Sequence, residues 1–134
     1  MDLRNIKFNI ETVLVLNIGD PIEKTNAPIV YNKLFNLLNM NAFMLPFKVK
    51  RGELPKFMDA CRTLGIRYLS PTMPHKADII PLLDDVDETS RIFNSVNAVY
   101  IDEKGISHGI GFDGKGAITA LLDSDVYLNN KTAV

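Results

Sequence analysis

The stretch TVLVLNIGD, residues 12–20, decides the fold. It is a run of β-branched residues and leucines that stops at Gly19-Asp20-Pro21. A strand that is apolar on both faces is typical of a buried parallel sheet, and the glycine and proline that follow end it in a loop. We therefore expect this stretch to be the first strand of an α/β domain.

The sequence after this strand alternates between helical and strand patterns. Asn26 precedes Ala27-Pro28, which is typical of a helix start, because asparagine suits the cap and proline the first turn. Helical spacing then continues to about Asn39. Further patterns predict a strand over residues 42–49, a helix over 53–64 closed by Gly65, a strand over 66–70, short helices near 77–80 and over 86–93, a hairpin over 95–112 and a helix through 117–122.

This order of elements predicts a three-layer α/β/α sandwich around a mixed, mainly parallel sheet with a C-terminal antiparallel hairpin. The first three strands should be parallel and joined by right-handed crossovers. We expect residues 1–122 to form one domain. Residues 123–134 resemble a linker and the start of an unfinished element, so we expect a piece of a longer protein.

The composition argues against several classes of protein. The 134 residues are 46% hydrophobic and 23% charged with a net charge of −1, which is typical of a folded domain and gives no basic face for nucleic acid. The N-terminus has no hydrophobic signal core, and residues 12–18 are too few to span a bilayer, so we expect a cytoplasmic protein without membrane contact. Cys61 is the single cysteine, and its helical spacing among apolar residues predicts a core position.

Lys76 ends the stretch SPTMPHK, residues 70–76. Pro74 fits the first turn of a helix, so Lys76 falls near a helix N-terminus, whose partial positive charge disfavours a nearby ammonium. Such a placement favours use of the lysine in proton transfer. Taken alone, the pattern is also compatible with a lysine that is solvated at the surface and has no role in a site.

Asp113 lies within residues 109–116, which hold four glycines. It either caps a helix or binds a hydroxyl and pairs with Lys76. The glycine run follows a hairpin rather than a strand of a βαβ unit, so we do not interpret it as a dinucleotide-binding loop. Asn97 interrupts an apolar strand and needs partners, which are either backbone groups or a ligand.

Four polar residues fall just after predicted strands: Thr25, Thr72, Lys76 and Asp113. Either threonine could be a simple helix cap. In open α/β sheets, however, ligand crevices form at the carboxyl ends of the strands. We therefore expect these side chains to meet in one cleft.

Four motifs, in this order, resemble the N-terminal, substrate-binding domain of shikimate dehydrogenases: GDPIEKTNAPIVYN (residues 19–32), SPTMPHK (70–76), SVNAVY (95–100) and GIGFDGKG (109–116). The resemblance implies that Lys76 passes a proton to or from the reacting hydroxyl while hydride moves to or from a nicotinamide. It implies that Asp113 binds that hydroxyl and positions the lysine. It also implies substrate-binding roles for four residues: Thr25, Ser70, Thr72 and Asn97.

The chain departs from the family pattern around this pair. Two serines that grip the substrate carboxylate in the family stand here as Thr25 and Ala27. Ser70-Pro71 replaces Asn-Val, and Gly111-Phe112 replaces Asn-Thr. The proton-transfer pair is thus retained while the recognition residues are altered, so the resemblance does not fix shikimate itself as the substrate.

The resemblance implies an NAD(P)-dependent dehydrogenase that oxidises a hydroxyl on a cyclic polyol carboxylic acid of the shikimate or quinate type. Residues 1–122 would be the substrate-binding domain, and residues 123–134 a linker and the start of a C-terminal Rossmann domain. That domain would bind NADP or NAD, so this fragment alone would be inactive. His75 and His108 have no third ligand at sensible spacing, so we predict no metal. The partner is a small cyclic hydroxy acid, and a homodimer is left open. The alternatives are a stand-alone binding or regulatory module that kept the cleft without redox chemistry and, less well supported because Lys76 and Asp113 are both kept, an interaction domain.

Overall fold

The computed structural model describes residues 8–124, which form a mixed sheet flanked by helices. The strands are β1 (Val13–Gly19), β2 (Ala42–Lys48), β3 (Tyr68–Pro71), β4 (Asp85–Val86), β5 (Ala98–Ile101) and β6 (Ser107–Ile110). The helices are α1 (Ala27–Leu37), α2 (Leu54–Leu64), α3 (His75–Asp78), α4 (Glu88–Phe93) and α5 (Asp113–Asp123). The α/β prediction is confirmed. The expectation for the tail concerned residues 123–134, and those from 125 onward lie outside the described range.

The sheet has the strand order β2-β1-β3-β5-β6-β4. β1 pairs in parallel with both β2 and β3, as predicted, and β5 and β6 form the predicted antiparallel hairpin. The chain crosses from β1 to β2 in one direction and back to β3 in the other. If both crossovers have the usual right hand, α1 and α2 lie on opposite faces of the sheet. None of the helices within residues 8–124 is long and apolar enough to cross a membrane.

The main core lies between the sheet and α2. Leu16 and Ile18 of β1 are buried against Met58 and Cys61 of α2. Burial raises the pKa of the Cys61 thiol to about 11, which agrees with the predicted role as core filler. The first strand is less buried than expected at its start, because Val13 remains 39% exposed.

A short strand replaces the start of one predicted helix. Val86 was expected to begin a helix, but β4 pairs in parallel with β6 and brings Val86 opposite Gly109. The helix α4 begins only at Glu88, where the Asp87 carboxylate accepts a hydrogen bond from the Ser90 N–H at 3.2 Å. Two residues are too few for a period-2 pattern, and the pairing partner is more than twenty residues away.

Asn32 ties α1 to the edge of the sheet. Its Nδ2 donates to the Met44 carbonyl at 2.9 Å, and its Oδ1 accepts from the Met44 N–H at 2.7 Å. β2 is the terminal strand of the sheet, so the amide supplies the hydrogen bonds that a further strand would otherwise provide. The helix starts as predicted with Pro28 in its first turn, although the side chain of Asn26 makes no capping bond.

Candidate active site

The carboxyl ends of β1 and β3 and the start of α5 surround a cleft of about 370 Å³. All six residues that the sequence predicts for the site line it: Thr25, Ser70, Thr72, Lys76, Asn97 and Asp113. They come from segments as far apart as Thr25 and Asp113 in the chain. The structure therefore brings the predicted residues together.

Lys76 and Asp113 form an ion pair in this cleft, between the lysine Nζ and the carboxylate Oδ2. The hydrogen bond from Lys76 holds the pKa of Asp113 below its usual range, with partial burial acting in the opposite direction. The side chains remain 30% and 64% exposed, respectively. A ligand hydroxyl can therefore reach both groups, and the pair can exchange a proton with it.

The turn that carries Lys76 is fixed from two sides. The ring of His75, which is fully buried, places its Nε2 2.6 Å from the Val49 carbonyl. The Lys76 carbonyl accepts a hydrogen bond from the Val96 N–H at 2.9 Å. Lys76 is the second residue of α3, which begins at His75 directly after the N-cap residue Pro74.

Among the described residues, no group of three or more metal-ligating side chains is present, and the absence of a metal stays a prediction.

Asn97 holds Asp113 in place. Its Oδ1 accepts from the backbone N–H groups of Phe112 and Asp113, at 2.6 and 3.0 Å. These groups can only donate, so the amide orientation is set and Nδ2 must face the Asp113 carboxylate, at 2.7 Å. The reading of Asp113 as a helix cap is wrong, because its side chain makes no capping bond and Asn97 takes that role.

The glycines around Asp113 allow close packing of this segment against the rest of the domain. Gly109, Gly111 and Gly114 have the spacing of a dinucleotide-binding loop, but a Cβ at Gly109 would lie 2.5 Å from Leu83 and one at Gly111 would lie 2.7 Å from Ser90. The Gly111 N–H donates to the Asp87 carboxylate at 3.1 Å. The N–H groups of Gly111, Phe112 and Asp113 are thus bonded within the domain and are not free for a nucleotide phosphate.

Asn17 lines the cleft and was missed by the sequence reasoning. It is 2% exposed, its Nδ2 donates to the Ser70 carbonyl at 2.8 Å, and its Oδ1 accepts from the Thr25 hydroxyl at 2.8 Å. The signal was available, since Asn17 interrupts the apolar run of β1 just as Asn97 precedes that of β5. Its role becomes visible only once β1 and β3 are paired.

The remaining wall of the cleft is largely apolar. Tyr31 and Phe35 of α1, Met44 of β2 and Phe112 contribute to it. A few placed polar groups among apolar walls are typical of a site for a small molecule.

The comparisons with known proteins agree with this geometry. A protein-family profile described as the shikimate dehydrogenase substrate binding domain matches residues 17–99. Shikimate dehydrogenase (NADP(+)) of Alkaliphilus oremlandii is 37% identical over 124 residues, which are 92% of this chain and 43% of that protein. The chain thus spans less than half the length of this relative.

Solved structures show the same fold. The crystal structure of shikimate dehydrogenase from Aquifex aeolicus has a TM-score of 0.82 and 31% identity, covering 87% of this chain and 44% of that one. Shikimate 5-dehydrogenase from Listeria monocytogenes, in complex with shikimate and NAD, has a TM-score of 0.84 and 27% identity, covering 91% and 42%. The chain therefore belongs to the family of shikimate dehydrogenase substrate-binding domains.

Proposed function

We propose that this chain is the substrate-binding domain of an NAD(P)-dependent oxidoreductase that interconverts a hydroxyl and a ketone on a cyclic polyol of the shikimate or quinate type. The observation that carries the proposal is the Lys76–Asp113 pair, held in a cleft at strand ends. The relatives that share this family are shikimate dehydrogenases named for NADP(+).

In the proposed reaction, the substrate hydroxyl contacts both members of the pair. Asp113 accepts a hydrogen bond from that hydroxyl and keeps Lys76 beside it. During reduction the Lys76 ammonium gives a proton to the oxygen as the hydride adds to the carbon that bears it, and Lys76 is left as a neutral amine. During oxidation the neutral amine takes the hydroxyl proton as the hydride leaves that carbon. Asn97 keeps the carboxylate from turning away, since it holds Asp113 through Nδ2.

The nicotinamide cofactor, when bound, accepts or supplies the hydride. Within residues 8–124, the one segment with the glycine spacing for its phosphates follows a hairpin, and its Gly111, Phe112 and Asp113 N–H groups are bonded to Asp87 and Asn97. We therefore propose that the cofactor is held by other residues. The names of two relatives at 37% identity favour NADP over NAD, although one similar structure holds NAD.

The test is Lys76→Ala in the full-length protein that carries this chain. We expect kcat with shikimate and NADP to fall by about 10²–10⁴-fold, with a smaller change in KM, because proton transfer is lost while most binding contacts remain. Lys56→Ala is the matched control, since Lys56 is an exposed helical lysine remote from the cleft lining. Equal turnover in the two variants would refute the assigned role of Lys76.

A further inference from the structure

The end of the cleft formed by β1 carries a hydrogen-bond network with a defined direction. The Ser70 carbonyl can only accept, so the Asn17 amide must present its nitrogen to Ser70 and its oxygen to Thr25. The Thr25 hydroxyl is therefore the donor in its 2.8 Å contact with Asn17. A hydroxyl has one proton, so Thr25 has none left for a ligand.

The neighbouring position offers no replacement donor. Ala27 lines the same part of the cleft with a methyl group, and its backbone N–H faces the Thr25 oxygen at 3.4 Å. Ser70 and Thr72 present hydroxyls, which donate and accept equally well and so match the hydroxyls of a ligand.

The charge of the cleft points the same way. Among the described residues that line it, Lys76 is the one cation and Asp113 the one anion, and the two are paired with each other. The lining therefore has no net charge to attract an anion, and an ionised ligand group would find no unpaired charge of opposite sign there.

We infer that the preferred ligand of this cleft is an uncharged polyhydroxylated ring. Asn17 sets this preference because its Oδ1 accepts the hydrogen bond that the Thr25 hydroxyl would otherwise donate to a ligand. The inference rests on the proposed function and narrows its substrate class. It assigns to Asn17 a specificity-determining role, exerted through Thr25.

The experiment compares shikimate with its primary carboxamide, which has the same ring and nearly the same size but no charge. Both are titrated at pH 7 into the full 134-residue chain, and dissociation constants are read from amide shifts near Thr25, Lys76 and Asp113. We expect the carboxamide to bind at least about threefold more tightly than the acid. A smaller difference, or tighter binding of shikimate, would overturn the inference and leave the proposed function standing.

Two variants separate the donor argument from other causes. Ala27→Ser adds a hydroxyl donor, so we expect it to tighten binding of the acid by about tenfold or more and to leave the carboxamide within threefold. Asn17→Val frees the Thr25 hydroxyl to donate to a ligand, so the ratio of the two dissociation constants should also shift in favour of the acid. If Asn17→Val fails to fold, Ala27→Ser still tests the inference. An unchanged ratio in folded Ala27→Ser overturns the inference. If neither compound shifts any amide of the cleft, the inference and the proposed function are both overturned.

Discussion

Substituting alanine for glycine at two nearby positions should change stability in opposite directions. At Gly111, the new Cβ would lie 2.7 Å from the Ser90 hydroxyl and 2.9 Å from the Ser95 carbonyl. One of these is backbone, and Ser90 is fully buried, so neither neighbour moves easily. We expect Gly111→Ala to lower the free energy of unfolding by about 1–3 kcal/mol, as overpacking does.

Gly116 lies in α5, and a Cβ there would meet open space. Alanine is the better helix former, so Gly116→Ala should raise the free energy of unfolding by roughly 0.5–1 kcal/mol. For 134 residues, each kcal/mol corresponds to roughly 4 °C in Tm. Urea and thermal unfolding followed by circular dichroism measure both variants against the parent chain. A Gly111→Ala protein as stable as the parent would refute the packing argument, and a destabilised Gly116→Ala protein would refute the placement of α5.

Three further predictions test the ion pair, the sheet edge and the core. The pKa of Asp113 is lowered chiefly by Lys76, so the pair stabilises the fold above the unfolded carboxyl pKa of about 3.9 and that contribution is lost as pH falls through the lower folded value. Lys76→Met should raise the pKa of Asp113 in a carboxyl ¹³C titration, and an unchanged value would contradict the pairing. Asn32→Leu leaves the Met44 N–H and carbonyl without their partner and should cost about 1–3 kcal/mol in urea unfolding, whereas a loss below about 0.5 kcal/mol would speak against that contact. Cys61 has its pKa raised to about 11, so it should react slowly with a disulfide reagent at pH 8 until urea unfolds the chain, and rapid reaction of the native protein would argue against burial.

The predictable part of this fold is the part written in local patterns. The run in β1, the proline-led start of α1 and the helix closed by Gly65 each show their periodicity within a dozen residues, and the structure has each of them. Gly65 has the left-handed conformation, with φ of 69°, that a helix-ending glycine favours. β4 was not predictable in this way, because only its pairing with β6 makes two residues a strand.

The same limit applies to the site. Four of the six predicted residues could be placed in one cleft because the ends of parallel strands meet at one edge of a sheet, and the family resemblance added Ser70 and Asn97. Their bonding could not be read in advance, since Asn17 and Ser70 are 53 residues apart and become neighbours only through the register of β1 against β3. Whether Thr25 offers its proton to a ligand or to the protein is therefore a property of the fold rather than of the motif.

Asn17 and Asn97 act at different ends of the cleft, and a backbone group orients each of them. The Ser70 carbonyl fixes Asn17 because it can only accept, and the Phe112 N–H fixes Asn97 because it can only donate. The other end of Asn97 then donates to the Asp113 carboxylate and keeps a charge in place, whereas the other end of Asn17 accepts a proton from Thr25 and removes a donor. Under the proposed function, the ligand preference can therefore change through Asn17 without any change in the Lys76–Asp113 pair.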